Sequence, residues 1–214
     1  MKLVVLSPPD DRADEQETVE ALFEAGLERY HLRKPTWSAE RTAGLLGSLP
    51  PLWRRRVIAH GHHDIARSLG AGGIHFRDDG RAPEDPGLQK GTGGFASRSC
   101  HDVGTVRASL GRYDAVFIGP VFASLSKPGY GPMQPQARDA LRTLLAARTK
   151  PQRSTEVVAL GGVTMHSLAD CHALGFDGAA VLGAVWDAPD PVAAFVALNT
   201  AASALSAATT RTPL

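Results

Sequence analysis

Short apolar runs alternate along the whole chain with segments in which apolar residues recur at helical spacing. Eight of these runs have the composition of buried strands, and each is followed by glycine, proline or a polar residue. A helical example is the series Val19, Leu22, Phe23 and Leu27. This alternation predicts parallel βα units. The predicted strands are Leu3–Leu6, Arg29–Leu32, Val57–Ala59, Gly73–Phe76, Gly94–Ser97, Ala115–Gly119, Val157–Gly161 and Ala179–Gly183.

Polar and glycine residues at the ends of the helical segments agree with this pattern. Side-chain oxygens can accept hydrogen bonds from the first free amides of a helix, which makes Ser38, Asp102 and Thr164 the predicted N-caps. Glycine readily adopts the left-handed conformation that ends many helices. The predicted C-terminal glycines are Gly26, Gly70, Gly111 and Gly175.

Eight βα units within 214 residues predict one α/β domain, a compact (β/α)8 TIM barrel over residues 1–200. The segment Arg77–Thr92 is rich in proline and glycine, so helix 4, between strands 4 and 5, is expected to be short or missing. Residues 201–214 are expected to fray as a C-terminal tail. An open doubly wound sheet is the alternative, but Leu6-Ser7-Pro8-Pro9 lacks the glycine-rich fingerprint that such a fold needs after its first strand.

Composition and charge narrow the class of function. Lysine and arginine total 23 against 22 acidic residues, a net charge of +1, and no basic cluster is interleaved with aromatics, so no nucleic-acid partner is expected. No apolar run approaches the ~18 residues of a membrane span, and Leu3–Leu6 is too short for a signal-peptide core. Cys100 and Cys171 fit a reducing compartment. We therefore expect a cytoplasmic protein with no membrane partner, and a homo-oligomer stays open.

The chemistry of a (β/α)8 barrel lies at the carboxyl ends of its strands. The residues at these positions are polar, cationic or glycine, which predicts an anion-binding mouth and a small-molecule phosphate ester as partner. They are His31 and Arg33, His60, His75, Ser99 and His101, Ser124, Ser126 and Lys127, Gly161 and Gly162, and Gly183.

Two glycine-containing loops give the strongest phosphate signal. Gly161 and Gly162 follow strand 7, and Gly183 follows strand 8, so that bare backbone amides can approach a phosphate. The alternative is that these glycines only permit tight turns. Hydroxyls at Ser124 and Ser126 beside the Lys127 ammonium would add donors for phosphate oxygens, unless this segment is simply a solvated loop.

The basic residues at the strand ends allow more than one interpretation. Arg33 alternates with His31, so its guanidinium faces the barrel axis and needs either a bound anion or an acid such as Asp64. His101 is a candidate general acid or base, or a hydrogen-bonded residue at the end of a strand. Zinc binding by His60, His62, His63 and His75 is set aside because no carboxylate stands with them at a familiar ligand spacing, and we predict no metal site from spacing.

Five motifs in order resemble the thiamine phosphate synthase family and its relative TenI, over about Leu3 to Val196. They are His31-Leu32-Arg33-Lys34, Ser99-Cys100-His101, Asp114 to Pro120 with Ser124-Leu125-Ser126-Lys127, Ala159-Leu160-Gly161-Gly162, and Gly178-Ala179-Ala180-Val181. The resemblance implies a phosphate-binding barrel, and for the synthase a coupling of a hydroxymethylpyrimidine diphosphate to a thiazole phosphate with magnesium. By position, the thiazole phosphate would be held by Ser124, Leu125, Ser126, Gly162, Leu182 and Gly183, and the diphosphate would be faced by Arg33, Ser99 and Lys127.

Departures from the family pattern bear on which member this is. Pro35 stands where the family has a lysine, His60-Gly61 replaces its Asn-Asp pair, and Gly80 takes the place of a second metal aspartate. Magnesium prefers oxygen ligands, so these changes favour a TenI-like isomerase that binds thiazole phosphate and shifts a proton with His101, without a cofactor. The alternatives are a divergent synthase, a transferase with magnesium on Asp78 or Asp79, and a non-catalytic sensor of a phosphate ligand.

Overall fold

The computed structural model describes residues 1–78, 94–123 and 131–209 of the chain. Eight parallel strands form a closed barrel in which each strand pairs with its neighbours in sequence and β8 pairs with β1. This architecture confirms the predicted single (β/α)8 barrel. The strands are β1 (Lys2–Leu6), β2 (Tyr30–Leu32), β3 (Val57–Ala59), β4 (Gly73–Phe76), β5 (Phe95–Cys100), β6 (Ala115–Ile118), β7 (Glu156–Ala159) and β8 (Gly178–Val181).

Helices surround the barrel, and their ends carry the predicted chemistry. Ser38 Oγ accepts from the Arg41 amide at 3.3 Å, and Asp102 Oδ1 accepts from the Thr105 amide at 2.8 Å. The four predicted C-terminal glycines all have positive φ. The helices are α1 (Glu15–Glu24), α2 (Ala39–Ser48), α3 (Pro51–Arg54), α4 (His63–Ser68), α5 (Val103–Ser109), α6 (Pro135–Ala146), α7 (Leu168–Ala173), α8 (Gly183–Trp186) and α9 (Pro191–Thr209), with 3₁₀ turns at Gln152–Ser154 and Met165–Ser167.

Two predictions concern segments between and beyond the strands. The helix expected to be short or missing between β4 and β5 lies almost wholly outside the described residues. The tail that is expected to fray begins at Ala201, and α9 continues through its first part to Thr209. Ala202 is fully buried there, and its carbonyl accepts from the Met1 amine at 3.1 Å, so packing against the amino end of the barrel holds the helix. Among the described residues, no helix is both long and apolar enough to cross a membrane.

The apolar residues divide into two layers because successive side chains of a strand point to opposite faces. One layer lies between the barrel and the helices and includes Tyr30, Leu46, Leu141 and Phe195. The other fills the inside of the barrel. Its buried members come from β1, β6, β7 and β8 and are Val4, Leu6, Ala115, Phe117, Val158 and Ala180. The partly buried Phe95 of β5 packs against them.

A buried ion pair fixes α1 against β2 on the outside of the barrel. Lys34 Nζ lies 2.5 Å from Glu15 Oε2 and donates to the Asp10 carbonyl at 2.9 Å, while the Tyr30 hydroxyl donates to Glu15 Oε1 at 2.9 Å. Both charged side chains are almost fully buried, so removal of either would leave an uncompensated charge. Lys34 therefore has a structural partner and is not a ligand-binding residue at the mouth.

Candidate functional site

Strands β2 to β5 line their part of the barrel interior with polar side chains. We call this set the histidine–serine face: His31, His60, His75, Ser97 and Ser99. Strand register explains the grouping, because His75 pairs with Ser97 between β4 and β5. The ring of His31 lies 4.7 Å and that of His75 5.1 Å from the ring of Phe117 on β6, so both imidazoles point into the barrel.

Hydrogen bonds connect nearly every polar atom of this face. His31 Nδ1 lies 3.0 Å from His60 Nε2, and the rings of His60 and His75 stack with centroids 3.9 Å apart. His75 Nδ1 lies 2.9 Å from Ser97 Oγ, and His75 Nε2 lies 2.9 Å from Ser99 Oγ. One buried nitrogen, His31 Nε2, has no hydrogen-bond partner among the described residues.

Burial keeps these imidazoles neutral. Desolvation is the largest cause in each case, and the neighbouring histidines and arginines add like-charge repulsion. The pKa of His31 and that of His60 are held well below the ordinary histidine value, and the pKa of His75 falls to about 3. At neutral pH the face therefore offers lone pairs and N–H donors, and no positive charge.

Arg33 lies at the mouth, two residues beyond His31 on the same side of the chain. Its charge contributes to the lowering of the pKa of both His60 and His75. The Arg33 backbone is held by Ser7, whose Oγ accepts from the Arg33 amide at 2.8 Å and donates to its carbonyl at 3.1 Å. Within the described ranges Arg33 pairs with no carboxylate, and the ion pair with Asp64 considered from sequence is absent.

The loops after β7 and β8 carry the predicted phosphate-binding backbone. Gly161 and Gly162 have φ of +88° and +66°. A Cβ on Gly161 would lie 2.8 Å from Pro120 Cα, and one on Gly162 would lie 2.4 Å from the Ala123 carbonyl oxygen. Close packing of this loop on the loop after β6 therefore requires glycine at both positions, whatever else the loop does.

Three backbone amides at these two loops stay available. Those of Gly161, Gly162 and Gly183 donate to no acceptor among the described residues. Because β7 and β8 are adjacent, both loops lie at the same end of the barrel, and Leu182 packs beside the interior apolar layer. The Asp187 carboxylate also lies here, since a Cβ on Gly183 would come within 2.6 Å of its Oδ2.

Other predicted site residues lie apart from this geometry or outside the described ranges. His101 follows β5 and is exposed, and no described residue hydrogen-bonds to its ring. Ser99 is the fifth residue of β5, although the predicted strand ended at Ser97. The residues Ser124, Leu125, Ser126 and Lys127 lie outside the described residues, as does Asp79.

The histidines that come together differ from those grouped by sequence. His62 Nε2 contacts the Trp37 carbonyl at 2.8 Å, and His63 Nε2 contacts the His75 carbonyl at 3.2 Å, so neither ring joins the cluster. His31 joins instead, because it alternates into the barrel from the adjacent strand β2. Ser97 was missed entirely, although the alternation Ser97-Arg98-Ser99 within a predicted strand could have indicated a polar inner face.

Comparison with known proteins decides the family. The family described as thiamine monophosphate synthase matches residues 3–185. The chain belongs to that family. A thiamine-phosphate synthase from Bordetella pertussis is 31% identical to this family member over 183 residues, which cover 82% of each sequence.

Solved structures agree with this membership. A thiamine phosphate pyrophosphorylase from Bacteroides thetaiotaomicron superposes with a TM-score of 0.72 at 29% identity, covering 97% of this family member and 98% of that chain. One from Pyrococcus furiosus gives a TM-score of 0.74 at 18% identity, covering 95% and 96%, which supports the fold alone.

Magnesium, which the resemblance to the synthase implies, does not fit the described donors. Magnesium takes oxygen ligands in near-octahedral geometry, and His60-Gly61 offers none from side chains. Asp78 is held by Arg98, whose Nη2 lies 3.1 Å from Asp78 Oδ1, and both side chains are about nine-tenths buried. Arg98 alternates with Ser97 and Ser99 and stacks over Tyr113 in the outer layer, so this carboxylate faces away from the barrel interior.

Proposed function

We propose that this chain is a divergent thiamine phosphate synthase. In the proposed reaction the thiazole nitrogen forms a bond to the pyrimidine methylene carbon. The bond from that carbon to the diphosphate oxygen breaks, and diphosphate leaves with the electron pair. Its relatives, which are named thiamine-phosphate synthases, support this transferase over the TenI-like isomerase that the departures from the family motifs favoured.

Arg33 is the observation that carries the proposal. A guanidinium at the mouth, with no carboxylate partner among the described residues, is costly to desolvate unless an anion meets it. The amides of Gly161, Gly162 and Gly183, which donate to no described acceptor, offer a separate anion site, two to three strands away around the barrel. Two anion sites at one mouth suit a reaction that joins two phosphorylated molecules, whereas a proton shift within one phosphate ester needs a single site.

The two sites divide the work in this proposal. Backbone amides after β7 and β8 hold the thiazole phosphate, because bare N–H groups can approach phosphate oxygens closely. Arg33 faces the diphosphate and stabilises the charge that develops on it as the carbon–oxygen bond breaks.

A direct assay tests the proposal. Purified protein is incubated with hydroxymethylpyrimidine diphosphate, thiazole phosphate and Mg²⁺, and the products are measured. We expect thiamine phosphate and diphosphate to form in equal amounts. Replacement Arg33→Gln is expected to lower kcat/KM by at least about 100-fold, because a charged donor to the leaving group is lost. The matched control is Arg107→Gln, an exposed arginine on α5, which should leave the rate unchanged. Absence of thiamine phosphate, or equal rates for the Arg33 and Arg107 variants, would reject the assignment.

A TenI-like proton shift is the second candidate, and the poor fit of the described donors to magnesium favours it. It needs an acid or base near the thiazole ring, for which His101 is the predicted group. Conversion of a thiazole carboxylate phosphate to its aromatic tautomer, lost in His101→Gln, together with no thiamine phosphate formation, would select it. Binding of thiazole phosphate with neither reaction would indicate a sensor.

A further inference from the structure

Three histidines of the barrel interior have no role in the proposed transfer. The rings of His31, His60 and His75 each offer a ligand nitrogen, and these nitrogens all lie within 4.8 Å of one another. His31 and His75 are fully buried, and His60 lies above them, partly exposed toward the mouth. Three imidazoles inside a barrel are an expensive arrangement unless their nitrogens are used.

The hydrogen bonds of His75 indicate which of its ring nitrogens carries the lone pair. Ser97 Oγ lies 3.5 Å from the Ile74 carbonyl oxygen, which can only accept, so the Ser97 proton is directed there. Ser97 Oγ then accepts from His75 Nδ1–H, which leaves a lone pair on Nε2, toward Ser99. A ring held by its second nitrogen in this way is the usual outer-shell arrangement of a metal-binding histidine.

The other two rings have more lone pairs than partners. One proton is shared between His31 Nδ1 and His60 Nε2 at 3.0 Å, because both rings are neutral. His31 Nε2 is buried without a hydrogen-bond partner among the described residues. A buried polar nitrogen with no partner costs free energy that an added ligand would recover.

We propose that His31, His60 and His75 bind one divalent transition-metal ion of the zinc class. Imidazole nitrogen suits Zn²⁺, Co²⁺ or Ni²⁺, whereas Mg²⁺ requires oxygen. Three protein ligands leave a fourth position open, as in catalytic zinc sites. With no carboxylate among its ligands the centre keeps its full positive charge, so the open position takes water or an anionic oxygen.

Binding requires a modest rearrangement of one ring. Tetrahedral Zn–N bonds of about 2.0–2.1 Å place ligand nitrogens about 3.4 Å apart. The stacked rings of His60 and His75 must therefore turn out of their parallel arrangement, in which the interplanar angle is 15°. His60 is the ring that can move, because it follows β3 and is partly exposed.

Calorimetry on the full chain, stripped with a chelator, tests the site with Zn²⁺, Co²⁺ and Mg²⁺ in separate titrations. In the titrations we expect one Zn²⁺ to bind per chain and no Mg²⁺ to bind at these residues. Absorption spectroscopy of the Co²⁺-loaded protein should show the visible bands of four-coordinate Co²⁺. Variants His31→Gln and His60→Gln should weaken Zn²⁺ binding by at least about 100-fold, and Ser97→Ala, which removes a positioning residue, by about 10-fold. The control is His62→Asn, at an exposed neighbouring residue. His62 has a left-handed backbone conformation, which asparagine tolerates, so this variant should bind Zn²⁺ like the wild type.

Thermal unfolding keeps the test decisive if His31→Gln folds poorly. Zn²⁺ should raise the Tm of the wild type and of His62→Asn, and leave that of His60→Gln unchanged, because only a site in the native state is stabilised by its ligand. No stoichiometric Zn²⁺ binding, or equal binding by wild type and His60→Gln, would overturn the proposal. Since no thiamine precursor enters these measurements, they are independent of the synthase assay.

Discussion

The two halves of the barrel interior are built from different chemistry on one backbone pattern. Strands β6 to β1 fill their half with Phe117, Val158 and other apolar side chains, whereas β2 to β5 present the histidine–serine face. Both halves alternate inward and outward positions, and both are parallel and buried. The alternation of inward and outward side chains therefore does not by itself distinguish a half that stabilises the barrel from one that offers ligands.

The two halves contribute to stability in different ways. Apolar burial contributes about 25 cal/mol per Å² and depends little on orientation. The side chains of the polar half lose their hydrogen bonds to water on burial. Specific partners replace those hydrogen bonds, such as the two hydroxyls on either side of His75. The apolar half should thus respond to loss of volume, and the polar half to pH and to loss of single partners.

The largest effect is expected in the apolar half. Phe117→Ala should lower the free energy of unfolding by about 3–5 kcal/mol, because a large buried ring is replaced by a cavity at the centre of the barrel. Urea unfolding measures this change, with the exposed Val196→Ala as control. A loss below about 1 kcal/mol would mean that Phe117 is not part of a packed interior.

The polar half should make stability depend on pH. In metal-free protein, His75 has a folded pKa of about 3 and an unfolded pKa near 6.5, so only the unfolded chain takes up its proton between these values. This contribution is fully present above about pH 6.5 and is lost as the pH falls toward 3. Between pH 7 and pH 5 the wild type should lose about 2 kcal/mol more unfolding free energy than His75→Gln. Equal losses would show that His75 is protonated in the folded state.

A smaller effect separates hydrogen bonding from packing within the polar half. Ser97→Ala removes little volume but leaves His75 Nδ1–H buried without an acceptor, so unfolding free energy should fall by about 1–2 kcal/mol. Ser68→Ala, at an exposed serine on α4, is the matched control. Urea unfolding of both variants at neutral pH measures the difference, and an unchanged Ser97→Ala would argue against the assigned bond.

The smallest expected effect lies above the apolar half, at the loop after β8. Asp187 is exposed and close to Gly183, so its charge opposes a phosphate held there, weakened by solvent screening. Asp187→Asn should tighten binding of thiazole phosphate by about 2- to 3-fold, measured by calorimetry at low salt. Weaker binding by this variant would place the phosphate elsewhere.

Sequence reasoning was strongest where short-range rules apply. Strand and helix order, the N-caps at Ser38 and Asp102, and the family all followed from residues near one another in the chain or from ordered motifs. It was weakest at boundaries and partners: α9 extends into the predicted tail, where Ala202 is buried, and Asp78 pairs with Arg98 from the next strand. These partners are distant in sequence, and no local sequence pattern predicts that they are in contact.

Periodicity and turn residues determined the barrel, because these depend on local conformation, and the order of the motifs determined the family. Only the tertiary structure decided which side chains meet. His31 rather than His62 lies beside His60 and His75, because the closed sheet fixes both the strand register and the direction in which each side chain points. Arg33 has no carboxylate partner among the described residues. Burial then makes the imidazoles neutral, a property that no residue carries by itself.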